Sequence, residues 1–174
     1  DSRDGEHFSA KQLLMTTADY PADISCHVRD PKILKHDGCY YMALGARDLE
    51  SHGLVLLYRS EDLRNWEYFS RIRTKTPLGY MWECPDLFFL DGQLCLICCP
   101  QGVPKAGLNY ENVHQCVFMK VDGDFRTGEF SVREEEVYHS VDRGFDFYAP
   151  QSFEDERGRR ILIGWLGLPD TDYT

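Results

Sequence analysis

Residues 84–92 read Cys84-Pro85-Asp86-Leu87-Phe88-Phe89-Leu90-Asp91-Gly92, and the chain continues as Gln93-Leu94-Cys95-Leu96-Ile97. The order is a proline, a short apolar run, an Asp-Gly pair and a second apolar run. An Asp-Gly pair between two apolar runs is a strong signal of a hairpin with a tight turn. The segment therefore predicts two antiparallel β-strands joined by that turn.

The same layout occurs twice more along the chain. Asp30–Gly38 is followed by the apolar run Cys39–Gly45, and Ala149–Gly158 is followed by Arg159–Trp165. The turn glycine comes seven positions after the proline in two of the segments and eight positions after it in the third. Recurrence of one layout along a chain indicates a repeated structural unit.

A second pattern lies between these hairpins. Ser60-Glu61-Asp62-Leu63-Arg64-Asn65-Trp66 matches Ser2-Arg3-Asp4-Gly5-Glu6-His7-Phe8 in the spacing of its serine, aspartate and aromatic residue. The apolar runs Leu54–Arg59 and Glu67–Ile72 flank the first of these segments. Each repeat thus holds about four antiparallel strands, and four-stranded units that recur at this period are typical of β-propeller blades.

The repeats predict an all-β fold, a partial β-propeller with about two full four-stranded blades and parts of two others. The full blades would run from Pro31 to about Ile72 and from Pro85 to about Tyr138, preceded by the last strand of one blade and followed by two strands of the next. Propellers close with typically four to eight blades. Residues 1–174 are therefore expected to be a fragment of one propeller domain of a longer protein.

The composition argues against several classes of function. The formal net charge of −10 at pH 7 disfavours a nucleic-acid partner, whose phosphates need a basic surface, and is compatible with a neutral sugar. No stretch approaches the length of a transmembrane helix, so no membrane partner is expected. The first residues show neither an initiator methionine nor a signal-peptide pattern, which indicates a cut end.

The cysteines and histidines indicate neither disulfides nor a metal. The seven cysteines are an odd number without the spacing of a disulfide framework. Cys95, Cys98 and Cys99 lie in an apolar run, where Cys95 and Cys98 would face opposite sides of a strand. We interpret them as small buried hydrophobic residues of a cytoplasmic protein. The six histidines are scattered, and we expect no metal site and no cofactor.

Glu83 is the candidate for proton transfer. The pentapeptide Trp82-Glu83-Cys84-Pro85-Asp86 sets its carboxyl group between a tryptophan and a cysteine. Loss of hydration raises the pKa of a carboxyl group, and a glutamic acid that is still protonated near neutral pH can donate a proton to a leaving group. That donation is the acid half of glycoside hydrolysis. The alternative is an exposed glutamate at a strand edge.

The second candidate carboxylate is Asp30. The inner strands of a propeller start near its axis, and here those starts read Arg29-Asp30-Pro31, Glu83-Cys84-Pro85 and Tyr148-Ala149-Pro150. Asp30 and Glu83 would then converge from neighbouring blades on one funnel, as in glycosidases, whose two carboxylates lie about 5 to 9.5 Å apart. The alternative for Asp30 is a turn-capping aspartate before a proline.

Three motifs, in chain order, resemble those of glycoside hydrolase family 32, which contains invertases, sucrose-6-phosphate hydrolases, levanases and inulinases. The motifs are Arg29-Asp30-Pro31-Lys32, Trp82-Glu83-Cys84-Pro85-Asp86 and Gly144-Phe145-Asp146-Phe147-Tyr148-Ala149-Pro150-Gln151. The resemblance extends over nearly the whole chain. It implies a five-bladed β-propeller and a retaining mechanism that cleaves the β-fructofuranosidic bond of sucrose, sucrose 6-phosphate or fructan.

The resemblance also implies roles for individual residues. Glu83 would be the general acid/base, and Asp30 would stabilise the transition state through the fructose hydroxyls. Arg29 would help to order the carboxylates. Cys84 and Tyr148 would tune the pKa of Glu83, and Trp82 and Trp165 would face the sugar. Ordinary strand core is the alternative for Trp165.

The sequence departs from the family in one respect that bears on activity. The family's nucleophile is an aspartate in a W-M-N-D-P-N-G motif on the first blade, and no such motif occurs here. The first blade, the fifth blade and the family's C-terminal β-sandwich would lie outside residues 1–174. Because a retaining glycosidase without its nucleophile forms no covalent intermediate, we expect the isolated chain to be inactive and its parent protein to be active.

Two other functions fit part of the pattern. One is a related five-bladed glycosidase that acts on arabinosides or xylosides, which the Trp82–Asp86 motif disfavours. The other is a non-catalytic sugar-binding or interaction module, in which Arg29, Asp30 and aromatic side chains line a half-funnel. An open propeller fragment also exposes strand edges, which favours self-association.

Overall fold

The computed structural model describes residues 2–144 and 147–167, and regular structure in these ranges is almost entirely β-strand. The helical element there is a short 3-10 helix, Thr17–Asp19, and none of the described ranges contains a helix long and apolar enough to cross a membrane. The strands are β1 (Ile24–His36), β2 (Cys39–Asp48), β3 (Gly53–Ser60), β4 (Glu67–Ile72), β5 (Met81–Leu90), β6 (Gln93–Gln101), β7 (Val117–Asp124), β8 (Glu129–Val132), β9 (His139–Ser140), β10 (Phe147–Glu154) and β11 (Arg160–Leu166).

The strands form three antiparallel sheets. The first sheet has the order β1-β2-β3-β4, and the second has the order β5-β6-β7-β8 with β9 paired to β7. The third sheet consists of β10 and β11. Two complete four-stranded units and the first two strands of another are thus present, which confirms this part of the predicted blade pattern.

The predicted Asp-Gly turns join the first two strands of each complete sheet. Asp37 and Gly38 have φ of 46° and 80°, and Asp91 and Gly92 have φ of 49° and 78°. Two consecutive residues with positive φ are the signature of the type I′ hairpin, whose twist matches that of the flanking strands. The turns therefore hold each inner strand, β1 or β5, in register against its neighbour.

The N-terminal segment repeats a turn but not a strand. Asp4 Oδ1 accepts hydrogen bonds from the backbone N–H groups of Glu6 and His7, at 2.9 and 2.8 Å, and Asp62 Oδ1 accepts the equivalent pair two and three residues after it. These bonds lower the pKa of both aspartates. The predicted Ser-x-Asp repeat is therefore real. The strand of a preceding blade is not found in residues 2–23, where the 3-10 helix is the regular element.

The main hydrophobic core lies between the first and second sheets, with Trp82 at its centre. The Trp82 side chain is fully buried, and its indole N–H donates to the carbonyl of Leu78 at 2.7 Å. Two glycines of the first sheet make room for it. A Cβ on Gly45 would lie 2.2 Å from the carbonyl oxygen of Trp82, and one on Gly53 would lie 2.3 Å from its ring. The absence of side chains there lets the two sheets approach closely.

Cys95, Cys98 and Cys99 are buried, as predicted for small hydrophobic residues. All seven cysteines are free thiols, and these three lie in β6. Cys98 faces the core between the first two sheets, whereas Cys95 and Cys99 pack in a separate cluster that includes Tyr148 of the third sheet. The alternation of the strand therefore places Cys95 and Cys98 on opposite faces, as expected.

Candidate active site

The three inner strands β1, β5 and β10 carry the same irregularity. In each strand the ladder to its neighbour skips the proline and the residue before it, which is a β-bulge. The residue before the proline adopts a positive φ, 61° for Asp30, 48° for Cys84 and 48° for Ala149. Positive φ is uncommon for residues with a side chain, and such backbone strain clusters at functional sites.

The bulges bring together the side chains that immediately precede them. The equivalent positions in the three strands hold Arg29, Glu83 and Tyr148. Arg29 and Tyr148 both contact Glu83. Glu83 Oε1 accepts a hydrogen bond from Arg29 Nε at 2.7 Å and forms an ion pair with Arg29 Nη2 at 2.6 Å. Glu83 Oε2 accepts from Tyr148 Oη at 2.5 Å and from Gln101 Nε2 at 2.9 Å. The carboxylate therefore accepts three hydrogen bonds from three side chains, which fix its orientation.

The surroundings of Glu83 are more polar than its sequence neighbours suggested. The Glu83 side chain is 17% exposed, so solvent still reaches it. Three side chains donate hydrogen bonds to its carboxylate. Burial raises the pKa of the Tyr148 hydroxyl well above its usual value, and the hydrogen bond to Glu83 raises it further. Tyr148 therefore keeps its proton near neutral pH and acts as a donor to Glu83.

Asp30 lies next to this network and is partly exposed. Its Oδ2 accepts a hydrogen bond from the backbone N–H of Cys84 at 3.0 Å and lies 3.6 Å from the Cys84 sulfur. A hydrogen bond to Cys99 and then burial raise the pKa of the Cys84 thiol far above its usual value, so the sulfur stays protonated. Asp30 is thus tied to the residue that follows Glu83, and two carboxylates from neighbouring sheets belong to one site.

Behind the bulges lies a buried carboxylate, Asp86, that joins all three sheets. Asp86 is 0% exposed; its Oδ2 accepts from the backbone N–H of Ser152 at 2.6 Å, and its Oδ1 lies 3.4 Å from Lys32 Nζ. Lys32 Nζ also donates to the carbonyl of Ser152 at 2.6 Å. Lys32 follows Pro31 in β1 just as Asp86 follows Pro85 in β5, so the pair ties the strands that carry Asp30 and Glu83.

Sequence reasoning did not assign roles to Lys32, Asp86 and Gln101. A signal for the first two exists, since charged residues directly follow the prolines at the start of otherwise apolar runs. Gln101 has no such signal, because it ends β6 and reaches Glu83 only through the pairing of β5 with β6.

The two tryptophans predicted to face the sugar lie in different environments. Trp82 is fully buried in the core, so in this structure it presents no face to a ligand, and packing is the role that its position supports. Trp165 pairs with Tyr148 across the third sheet and is 54% exposed, and its contact with a sugar stays a prediction. Phe145 and Asp146 of the third motif lie outside the described residues.

The fold consists of repeated four-stranded antiparallel sheets, and two carboxylates lie at the starts of neighbouring inner strands. The family model described as "Glycosyl hydrolases family 32 N-terminal domain" matches residues 1–174. This chain belongs to glycoside hydrolase family 32, and its fold is a fragment of that family's β-propeller.

Individual relatives agree with this assignment. A sucrose-6-phosphate hydrolase of Staphylococcus xylosus is 43% identical over 154 residues, which cover 88% of this chain and 31% of that protein. Among solved structures, a GH32 β-fructofuranosidase of Bombyx mori has a TM-score of 0.80 at 38% identity, and a sucrose-6-phosphate hydrolase of Lactobacillus gasseri has 0.78 at 37%. Both matches cover 88% of this chain and 32% of the other. The chain thus spans about a third of the length of these relatives.

Proposed function

We propose that the protein containing this chain hydrolyses β-fructofuranosidic bonds, in sucrose, sucrose 6-phosphate or fructan. The observation that carries the proposal is the Glu83 carboxylate, which is fixed by Arg29, Gln101 and Tyr148 next to the second carboxylate, Asp30. The names of its relatives support the bond type, and a mutant of the Bombyx mori enzyme was solved in complex with sucrose. Family membership and the Trp82–Asp86 motif favour fructosides over arabinosides or xylosides.

In the first step, Glu83 in its protonated form gives its proton to the glycosidic oxygen as the bond to fructose breaks. The carboxylate that remains is stabilised by the Arg29 guanidinium and by the Tyr148 and Gln101 donors. In the same step the fructosyl carbon bonds to a nucleophile carboxylate. In the second step Glu83 takes a proton from a water molecule, which attacks the fructosyl carbon and releases that nucleophile. Asp30, with one oxygen on the Cys84 N–H, accepts hydrogen bonds from fructose hydroxyls as positive charge develops on the ring.

The carboxylate that forms the covalent intermediate is proposed to come from outside residues 1–174. The W-M-N-D-P-N-G segment that carries the nucleophile in the family does not occur in this sequence. Glu83 and Asp30 alone supply a proton and charge stabilisation but no covalent partner for fructose. Residues 1–174 on their own are therefore expected to bind a sugar without cleaving it.

The test compares the whole protein with its Glu83→Gln variant, using release of reducing sugar from sucrose and from inulin. Glutamine keeps the shape of the side chain but cannot transfer a proton, so kcat is expected to fall about 10²- to 10⁴-fold. Glu61→Gln, which changes an exposed glutamate in the Ser60–Trp66 turn, is the matched control and should keep the wild-type rate. A Glu83→Gln variant with wild-type kcat would contradict the proposal.

A second arm uses purified residues 1–174. Titration with fructose should show weak binding that Asp30→Ala abolishes, and sucrose and inulin should remain intact. Hydrolysis by this isolated chain would show that no outside nucleophile is needed. Binding that Asp30→Ala leaves unchanged would remove Asp30 from the sugar site.

A further inference from the structure

Arg47, near the end of β2, holds a guanidinium that no described carboxylate neutralises. Its Nη2 donates to Ser51 Oγ at 2.7 Å, and its guanidinium carbon lies 5.3 Å from the centre of the Tyr80 ring. No ion pair joins it to an acidic residue within residues 2–144 and 147–167. Tyr80 is itself partly exposed, at 38%. A half-buried arginine that lies on an aromatic face and keeps free N–H donors is a preformed site for an anion.

The position of Arg47 relates it directly to Glu83. Gly45 pairs with Arg29, and Arg47 lies two residues further along β2, hence on the same face of the strand. That face looks toward β5, since Gly45 touches the backbone of Trp82. Tyr80, which lies under Arg47, precedes Glu83 by three residues, about 10 Å along an extended chain.

A chain of contacts links the two positions. The backbone N–H of Tyr80 donates to the carbonyl of Gln101 at 2.9 Å, and the Gln101 side chain donates to Glu83 Oε2 at 2.9 Å. The Tyr80 ring also lies over Gly102, where a Cβ would be 2.4 Å from the ring. Arg47 and Tyr80 are therefore connected to Glu83 through Gln101.

The acidic residues nearest in sequence to Arg47 are directed to another partner. Asp48 Oδ1 accepts from the backbone N–H of His52 at 2.8 Å, and Asp48 Oδ2 lies 3.4 Å from His52 Nδ1. Glu50 is also close to His52 Nδ1, at 3.8 Å. These carboxylates therefore gather around the imidazole rather than around the guanidinium.

We propose that Arg47, which lies over the Tyr80 ring, binds the phosphate group of a phosphorylated β-fructofuranoside, with the phosphate on the sugar that leaves. The inference rests on the proposed function and narrows its substrate to a sugar phosphate such as sucrose 6-phosphate. A guanidinium matches a phosphate because it donates two parallel hydrogen bonds to a dianion. A neutral disaccharide gains nothing comparable from Arg47, so the residue decides selectivity and leaves the chemistry at Glu83 unchanged.

The test measures kcat/KM of the whole protein for sucrose 6-phosphate and for sucrose. Arg47→Gln is expected to lower the value for the phosphorylated substrate about 10- to 100-fold and to leave that for sucrose unchanged, since one charge-assisted contact is lost. Arg47→Lys, which keeps the charge but not the planar fork, should lose less. Arg126→Gln, at an exposed arginine in the β7–β8 turn, is the matched control and should change neither value.

A readout on the wild type does not depend on the folding of a variant. Glucose 6-phosphate should inhibit sucrose hydrolysis at about tenfold lower concentration than glucose, and inorganic phosphate should weaken that inhibition. Equal inhibition by glucose and glucose 6-phosphate would overturn the assignment, as would an Arg47→Gln variant in which both substrates lose activity equally or neither does. A wild type that hydrolyses no β-fructofuranoside at all would instead contradict the proposed function.

Discussion

Glu83 is held by three side chains that come from three different strands, Arg29 from β1, Gln101 from β6 and Tyr148 from β10. A carboxylate that accepts three hydrogen bonds and forms an ion pair loses little rotational freedom when a substrate arrives, because its orientation is already fixed. Such preorganisation is the main way in which protein dipoles and charges assist a reaction. At the scale of single residues, the donors of Glu83 are thus as much part of the site as the acid itself.

Tyr148→Phe removes one of these donors and keeps the ring. The raised pKa of the Tyr148 hydroxyl means that the wild type retains the donor from acidic into alkaline solution, so the variant should be slower across that whole range. We expect a fall in kcat of about 10- to 100-fold, the effect of a lost hydrogen bond to a charged group. Initial rates on sucrose, measured as a function of pH, provide the check.

The matched control for this variant is Tyr138→Phe, which removes a hydrogen bond of 3.0 Å to Glu134 outside the site and should leave kcat unchanged. Wild-type rates for Tyr148→Phe at every pH would show that the hydrogen bond does not assist proton transfer.

The sequence made Glu83, Asp30, Arg29 and Tyr148 candidates, since each one occupies a fixed place before a repeated proline. It assigned no role to Gln101, because that residue reaches Glu83 through the pairing of β5 with β6. It also misjudged Trp82. An aromatic residue beside a candidate acid/base looks the same in the sequence whether it faces a sugar or the core. The burial of Trp82 depends on Gly45 and Gly53, which lie far from it in the sequence.

At the scale of elements, a buried ion pair connects the inner strands β1, β5 and β10. Asp86 of β5 and Lys32 of β1 meet at 3.4 Å, and both contact the backbone of Ser152 in β10. The desolvation of such a pair offsets much of its attraction, so its net contribution to stability is small. Its effect is instead geometric, since the same three strands carry Asp30, Glu83 and Tyr148.

Asp86→Asn is predicted to be strongly destabilising. The change leaves the Lys32 ammonium, which is only 24% exposed, without its countercharge, and breaking a buried pair in this way costs about 3–5 kcal/mol in the free energy of unfolding. Urea unfolding of the wild type and the variant measures the difference.

The double variant Asp86→Leu with Lys32→Met completes the experiment. It removes both charges and should therefore recover most of the lost stability. The activity should not recover, because the contacts that hold β1 and β5 against β10 are lost. Full activity in this double variant would mean that the pair has no influence on the site.

At the scale of the whole molecule, the third sheet has a poorly covered strand, β11. Within the described residues β11 pairs only with β10, and Ile163, Trp165 and Leu166 on it are exposed by 63%, 54% and 77%. An open strand edge with apolar side chains is a template for pairing with another chain. The number of blades counted in the sequence predicts this open edge correctly. The same count predicted a strand in the N-terminal segment, where residues 2–23 keep the Ser-x-Asp turn but form no strand.

We therefore predict that purified residues 1–174 self-associate through this sheet. Sedimentation velocity over a range of concentrations should show species larger than the monomer. Ile163→Lys should shift the population toward monomer, because a charge on an edge strand opposes pairing. Leu49→Lys, which changes an exposed leucine in the β2–β3 turn, is the matched control and should have no effect. A wild-type chain that stays monomeric at all concentrations would contradict the prediction.

The three bulges have a consequence for how this scaffold can change its chemistry. The backbone follows the same path before Pro31, Pro85 and Pro150, yet it presents a cation at Arg29, an acid at Glu83 and a phenol at Tyr148. The main chain thus sets the direction in which the side chain points, and the identity of the side chain sets its chemistry. New catalytic combinations could arise by single substitutions at these three positions, with no insertion, deletion or change of loop length.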